Sequence, residues 1–192
     1  IKIKKIGELF GNFNVVMFSP EDLKIIKDSP GVRRKFIDME LCQLNPKYYY
    51  NLVQYNKVLN ERNSILRNKN ISKDILDVYD MQLAEFGYNI IIDRLEYIKK
   101  LNKYSEKIHS DITSGKEKIE FKYTSTIKDL ENIKESFYSL LEKNRARDCE
   151  RGITSIGPHR DDFVVLINDI DTKSYGSQGQ QRTAVLTIKL HL

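Results

Sequence analysis

At 192 residues, 40% of them hydrophobic and 31% charged, with only 4 prolines, the chain carries enough apolar material for a sizeable core and does not read as disordered. No apolar run approaches bilayer length, and the opening "IKIKKIGELFGNFNVVMF" lacks the look of a signal peptide, so the expectation is a cytoplasmic protein with no membrane partner. A net charge of +5 permits an anionic partner without demanding one.

Ile1, Ile3 and Ile6 alternate with lysines as in a strand, and "NVVMF" at 14–18 suggests a short buried one. Three cap-plus-proline pairs follow: Ser19 with Pro20, Ser29 with Pro30, and Asn45 with Pro46. Each predicts a helix start, because proline's fixed φ suits the first helical position and its missing N–H is no loss there. From Ser72 to about Ile112, Leu83, Phe86, Ile90, Ile91, Leu95 and Ile98 recur at spacings of three and four, predicting a long amphipathic helix.

"TSGKEKIEFKYTS" breaks that period. Ile119, Phe121 and Tyr123 alternate with Glu120 and Lys122 as in a half-buried strand. Helical spacing returns with Ile127, Leu130, Ile133, Phe137 and Leu141, running to about Arg151. "DDFVVLINDIDTKSYG" then reads as a strand, a turn at Asn168 and Asp169, and a second short strand. Strand-bearing ends around a helical middle suggest one mixed domain with a helical insertion. There are no internal repeats and no sustained heptads, so a packed bundle is expected in the middle rather than a long coiled coil.

The closing "YGSQGQQRTAVLTIKLHL" holds the strongest site candidate. Ser177 caps a helix, Gly179 allows close backbone approach, and the first amides of a helix carry partial positive charge, so a phosphate fits there. The amides of Gln178, Gln180 and Gln181 add donors without charge. The plain alternative is equally local: Ser177 with Gln180 three residues later makes a capping box that needs no ligand.

Other motifs carry less. "GPHRDD" at 157–162 resembles acid/base equipment, but Leu166 stands where a kinase catalytic loop needs asparagine, and a Ser155, His159, Asp161 triad lacks a nucleophile elbow. A polar turn or a structural ion-pair cluster is the preferred reading. No glycine begins a G-x-x-x-x-G-K-S/T loop: the nearest match has Ser110 where the first glycine belongs, and Glu117 follows Lys116. Cys42 and Cys149 lack metal-ligand spacing and are expected to be reduced thiols, with no metal site. Arg33, Arg34 and Lys35 form the densest basic patch, although three consecutive helical residues cannot all face one phosphate row.

Taken together, "FSPEDLKIIKDSPGVRRKFID", "NPKYYYNLVQYNKVLNERN", "GPHRDDFVVLIN" and "YGSQGQQRT", in that order, resemble the RecF family of bacterial repair ATPases, related to ABC and SMC proteins. The resemblance covers essentially the whole chain. It implies an α+β, mainly helical fold: a helical lid subdomain inserted in part of an ABC-type ATPase head, with short flanking strands. Residues 1–18 would be a strand-bearing part of the head, 19–152 the lid with a strand near 119–124, and 153–192 the head strands and signature helix.

The same resemblance makes "SQGQQ" a variant of the ABC signature, usually Leu-Ser-Gly-Gly-Gln, with Gly176 in place of the leucine and Gln178 in place of the first glycine. It implies that Ser177, Gln178, Gly179, Gln180 and Gln181 address the γ-phosphate of ATP in trans. ATP and Mg²⁺ are the implied cofactors, and an ATP-dependent homodimer the implied assembly. Single-stranded and duplex DNA, at gaps or junctions, are implied partners, with RecO and RecR in loading RecA during the SOS response. Arg33, Arg34 and Lys35 are candidate DNA contacts. Walker A and Walker B would lie outside these residues, so no catalytic residue is assigned and the chain alone is expected to be inactive as an ATPase. The rival from another class is a non-enzymatic helical protein-interaction module.

Overall fold

Three of the four prolines stand at the first position of a helical element. They open a 3₁₀ turn, Pro20–Leu23, that runs into α1 (Lys24–Lys27), then α2 (Pro30–Leu44) and α3 (Pro46–Leu66). The flanking caps differ in kind. Asn45 accepts on its side chain from the Lys47 N–H at 3.0 Å, Ser19 gives its own N–H to Asp22 Oδ2 at 2.9 Å, and the Ser29 side chain makes no cap bond. These elements come from a computed structural model that describes residues 18–68 and 73–190. The strands expected at 1–6 and 14–18 lie, apart from Phe18, outside the described residues.

α4 (Lys73–Thr113) is 41 residues long, about 60 Å at 1.5 Å per residue. Leu83, Ile90, Ile91 and Ile98 are buried along it, and Phe86 and Leu95 pack against the same core. The stripe serves several neighbours at once, because α4 packs against α2, α3, α5, α7 and β1. It is the member on which the rest is assembled.

β1 (Ile119–Thr124) pairs antiparallel with β2 (Asp162–Ile167), which pairs with β3 (Ile170–Asp171), in the order β1-β2-β3. Ile119, Phe121, Phe163, Val165 and Ile167 turn inward, as the alternation predicts. The β2–β3 turn uses Asn168 and Asp169 with φ of 50° and 65°, the left-handed pair that a two-residue hairpin requires. β1, drawn on sequence within the 19–152 portion, thus shares a sheet with strands of the 153–192 portion. One continuous core runs from Ile25 to Ile188.

α5 spans Ile133–Arg151 and starts later than the apolar spacing suggests. Residues 125–132 are irregular, because Asp129 accepts from the N–H groups of Glu131 and Asn132, each at 3.1 Å, and from Ser136 Oγ at 3.2 Å. A side chain that caps nearby backbone competes with the helix there. Ile127 reaches the core from this loop, and Leu130 is exposed. A one-turn helix, α6 (Thr172–Tyr175), unforeseen from the sequence, precedes α7 (Gln178–Leu190).

Candidate functional site

α7 buries Gln181, Ala184, Val185, Thr187 and Ile188, which fixes the helix against α4 and leaves its first turn outward. Ser177 and Gln180 form a reciprocal cap: Ser177 N–H donates to Gln180 Oε1 at 3.0 Å, and Gln180 N–H donates to Ser177 Oγ at 3.2 Å. Gln181 N–H closes the first backbone bond on the Ser177 carbonyl at 2.9 Å. The N–H groups of Gln178 and Gly179 have no partner among the described residues, and Ser177, Gln178 and Gly179 are exposed. Two free amides and a hydroxyl at the positive end of a helix dipole form a place for an anion.

Two of the five residues expected to address a phosphate do not face outward. Gln181 is buried at 8% exposure and donates through Nε2 to the carbonyls of Thr172 at 3.2 Å and Gly176 at 3.3 Å, pinning α7 to α6. Its amide is spent internally, so its expected donor role is corrected to a structural one. The Gln180 amide is likewise committed, to Ser177 N–H and, through Nε2, to Glu117 Oε1 at 3.0 Å. Gly176 sits where α6 turns into α7. A Cβ there would meet the Thr172 carbonyl oxygen at 2.5 Å and Thr172 Cγ2 at 2.8 Å, so no side chain fits without moving backbone.

Glu117 was not foreseen as part of this site. It lies beyond the end of α4, after a turn that uses Ser114 and Gly115 at φ of 54° and 72°, and its Oε2 stands 3.5 Å from Nε2 of the buried His109. Nδ1 of His109 is 2.8 Å from Thr187 Oγ1 on α7. Burial lowers the His109 pKa, with Glu117 opposing.

"GPHRDD" is a different environment. Gly157, at φ 129°, adopts a backbone open to glycine, and a Cβ would meet the Tyr55 hydroxyl at 2.4 Å. His159 follows, its Nδ1 2.7 Å from Tyr55 Oη and its Nε2 3.0 Å from the Thr154 carbonyl. The carbonyl can only accept, so Nε2 carries the proton and Nδ1 accepts from tyrosine. Burial lowers its pKa to about 4. Asp161, fully buried, accepts from Tyr123 Oη at 2.7 Å, Ser125 Oγ at 3.1 Å, and the N–H and hydroxyl of Thr126 at 2.7 and 2.9 Å. Ser155 gives its hydroxyl to Asp148 at 2.6 Å. Ser155, His159 and Asp161 therefore form no triad, and the structural reading of this segment holds.

A second buried cluster escaped sequence reasoning. Arg62 of α3, fully buried, donates from Nε to Asp80 of α4 at 2.6 Å and from Nη1 to Asp148 of α5 at 2.9 Å, joining three helices. A charge on an apolar stripe was the available signal: Arg62 lies seven residues after buried Tyr55, and Asp80 three before buried Leu83.

The basic patch is split by the fold. Arg33 is buried, its guanidinium forking Asp162 at 2.7 and 2.8 Å while Nη1 reaches the Asp28 carbonyl at 2.9 Å. It holds α1 and β2 together and is withdrawn as a DNA contact. Arg34 is half-buried and donates to the Asp161 carbonyl at 2.7 Å, with burial and the nearby Arg94 charge lowering its pKa. Lys35 is exposed. Arg34 and Lys35 line a cleft of about 480 Å³ with Asp38, Tyr49, Asn56 and His159. Cys42 and Cys149 are free thiols, and no helix among the described residues is long and apolar enough to cross a membrane.

The architecture defines the class first: a mainly helical fold with a small antiparallel sheet, that of a helical lid built into part of an ABC-type ATPase head. The chain is 70% identical over 189 residues to the DNA replication and repair protein RecF of Clostridium perfringens (strain SM101 / Type A), covering 98% of this chain and 52% of that protein. It is 68% identical over 189 residues to the protein of the same name from Clostridium botulinum (strain Alaska E43 / Type E3), with the same coverage. A solved structure of the recombination mediator protein RecF-ATP in the RecFOR pathway superposes with a TM-score of 0.87 at 38% identity, over 98% of this chain and 52% of that one. No family model matches. Along 98% of its length the chain is similar to RecF proteins, and it spans about half the length of the curated relatives it matches.

Proposed function

We propose that this chain supplies the lid and the trans-acting signature segment of a RecF-type ATPase of DNA repair and replication. One observation carries the reading: the first turn of α7 presents the unpartnered amides of Gln178 and Gly179 beside the Ser177 hydroxyl on an exposed surface. Such a turn binds phosphate with dipole and backbone donors and adds no positive charge of its own. The residues that would meet the γ-phosphate are Ser177, Gln178 and Gly179, with Gln180 holding Ser177 in place and Gln181 holding the helix. The phosphate and its Mg²⁺ belong to a nucleotide held by a Walker A loop on a second subunit, and hydrolysis uses Walker motifs that these 192 residues do not contain.

The energetic logic is differential. ATP offers a γ-phosphate to the turn and ADP does not, so ATP alone favours the closed dimer. DNA is the further partner, met through phosphates and therefore salt-sensitive, with Lys35 and the free donors of Arg34 at the α2–α3 cleft as contacts. The RecFOR pathway named for the solved relatives supports work beside RecO and RecR; a role upstream of RecA loading and the SOS response, in the cytoplasm, belongs to the same proposal.

The test is the mass of the full-length protein with MgATP and with MgADP, by sedimentation equilibrium. ATP is expected to give a dimer and ADP a monomer, and Ser177→Arg is expected to leave a monomer with either. ATP-driven dimers that survive Ser177→Arg would return the α7 turn to a plain cap and favour the interaction module.

A further inference from the structure

A glutamine amide presents an oxygen on one side and an NH₂ on the other. The Ser177 N–H can only donate, so the cap turns the Gln180 oxygen toward it, and Glu117 secures the same orientation from the other side. An ionised carboxylate only accepts, so the Gln180 NH₂ must face Glu117 Oε1, at 3.0 Å, and the Gln180 oxygen must face the Ser177 N–H. With that oxygen in place the cap closes, and Ser177 Oγ accepts from the Gln180 N–H. The hydroxyl proton of Ser177 then has no acceptor among the described residues and is available to an arriving anion.

The setting of Glu117 sharpens this. Thr187 Oγ1 donates to the Thr183 carbonyl at 2.8 Å, so His109 donates to it through Nδ1, and its Nε2 stands 3.5 Å from Glu117 Oε2. His109 is fully buried, its Nε2 makes no hydrogen bond, and burial lowers its pKa while Glu117 opposes. Gln180 is the one side chain among the described residues that hydrogen-bonds Glu117. A bond from an amide to a carboxylate is stronger than one between neutral groups.

We infer that Glu117, in the segment that follows the long helix α4, is a positioning residue for the phosphate-facing turn of α7: its bond to the Gln180 NH₂ steadies the side chain whose oxygen holds the Ser177 N–H, and so the placement of Ser177 and its hydroxyl. The inference rests on the trans-signature reading above. It makes the segment leaving the lid's longest helix part of the ATP response: Glu117 does not touch the phosphate but steadies the group that does.

The experiment measures ATP-driven dimerisation of the full-length protein in MgATP for Glu117→Ala, Gln180→Ala, the double variant, Glu117→Gln and Ser177→Arg. Glu117→Ala is expected to weaken the ATP dimer about tenfold. The double variant is expected to be no weaker than Gln180→Ala alone, because both substitutions break one arrangement. Glu117→Gln, which can still present an oxygen to Gln180, is expected to recover to within about threefold of the parent. A merely structural role for Glu117 would lower thermal stability while leaving the ATP-dependent constant unchanged. If Glu117→Ala does not fold, Glu117→Asp, one methylene too short to reach Gln180, carries the same expectation. An unchanged constant, or additive losses in the double variant, overturns the positioning role while Ser177→Arg still abolishes the dimer. A dimer indifferent to Ser177→Arg overturns the underlying reading, and the positioning role with it.

Discussion

Two polar segments of this chain look equally chemical on the page and are opposites in space. "GPHRDD" buries Asp161 and leaves His159 half-buried, each engaged by hydrogen-bond partners. "SQGQQ" brings no charge, yet leaves two backbone amides and a hydroxyl facing solvent. Titratable residues make a site only when their hydrogen-bonding capacity is unspent. Saturation turns the first segment into scaffold, and incompleteness makes the second able to receive a ligand.

The contrast is best broken from the saturated side. Asp161→Ala strands the donors of Tyr123, Ser125 and Thr126 in the interior, and the expected loss is about 4 kcal/mol in urea unfolding. A loss under 1 kcal/mol would mean that water reaches the segment and that its saturation is illusory.

His159 gives the next largest effect, through pH. Its folded pKa of about 4 lies below the ordinary value of 6.5, so between those values the unfolded chain binds more protons. Stability is complete above pH 6.5 and falls as pH drops toward 4, by about 3 kcal/mol in all from this residue. Urea midpoints across that range are expected to flatten in His159→Gln relative to the parent.

On the open side the stability effects are small and the functional ones are not. Ser177→Ala removes one cap acceptor and is expected to cost about 1 kcal/mol in unfolding, while strongly weakening ATP-driven dimerisation. Gly179→Ala separates the two quantities most cleanly. Its Cβ would meet nothing nearer than Ser177 Oγ at 3.7 Å, so stability is expected to change by no more than about 0.5 kcal/mol, in the stabilising direction. The new methyl nonetheless stands on the face proposed to receive the phosphate, and ATP-driven dimerisation is expected to fall. Equal dimerisation in parent and Gly179→Ala would separate that face from the nucleotide.

Much of the fold was legible because its signals are local. Proline after a cap residue marked the starts at Pro20, Pro30 and Pro46, the apolar period marked α4, and alternation marked β1 and β2. The errors arose where side chains outvoted that pattern. Asp129 delayed α5 by capping the loop before it, and Asp171 nucleated α6 by accepting from the Lys173 N–H at 3.0 Å. At the site, Ser177 and Gln180 were readable from their spacing of three. Glu117 was not, because its contact with Gln180 spans 63 positions and depends on how α4 ends. Arg33 was misjudged for a related reason: a basic triplet does not say which member turns inward, and Asp162, 129 residues away, decides it.

Gly176 stands where the family resemblance sets the leucine of the usual ABC signature. With the Thr172 carbonyl 2.5 Å from where a Cβ would stand, it is the counterpart of the one-turn helix before it. Neither feature can be exchanged without the other. A side chain at 176 would require α6 to unwind or shift, so the glycine and the one-turn helix in front of it form a single structural unit.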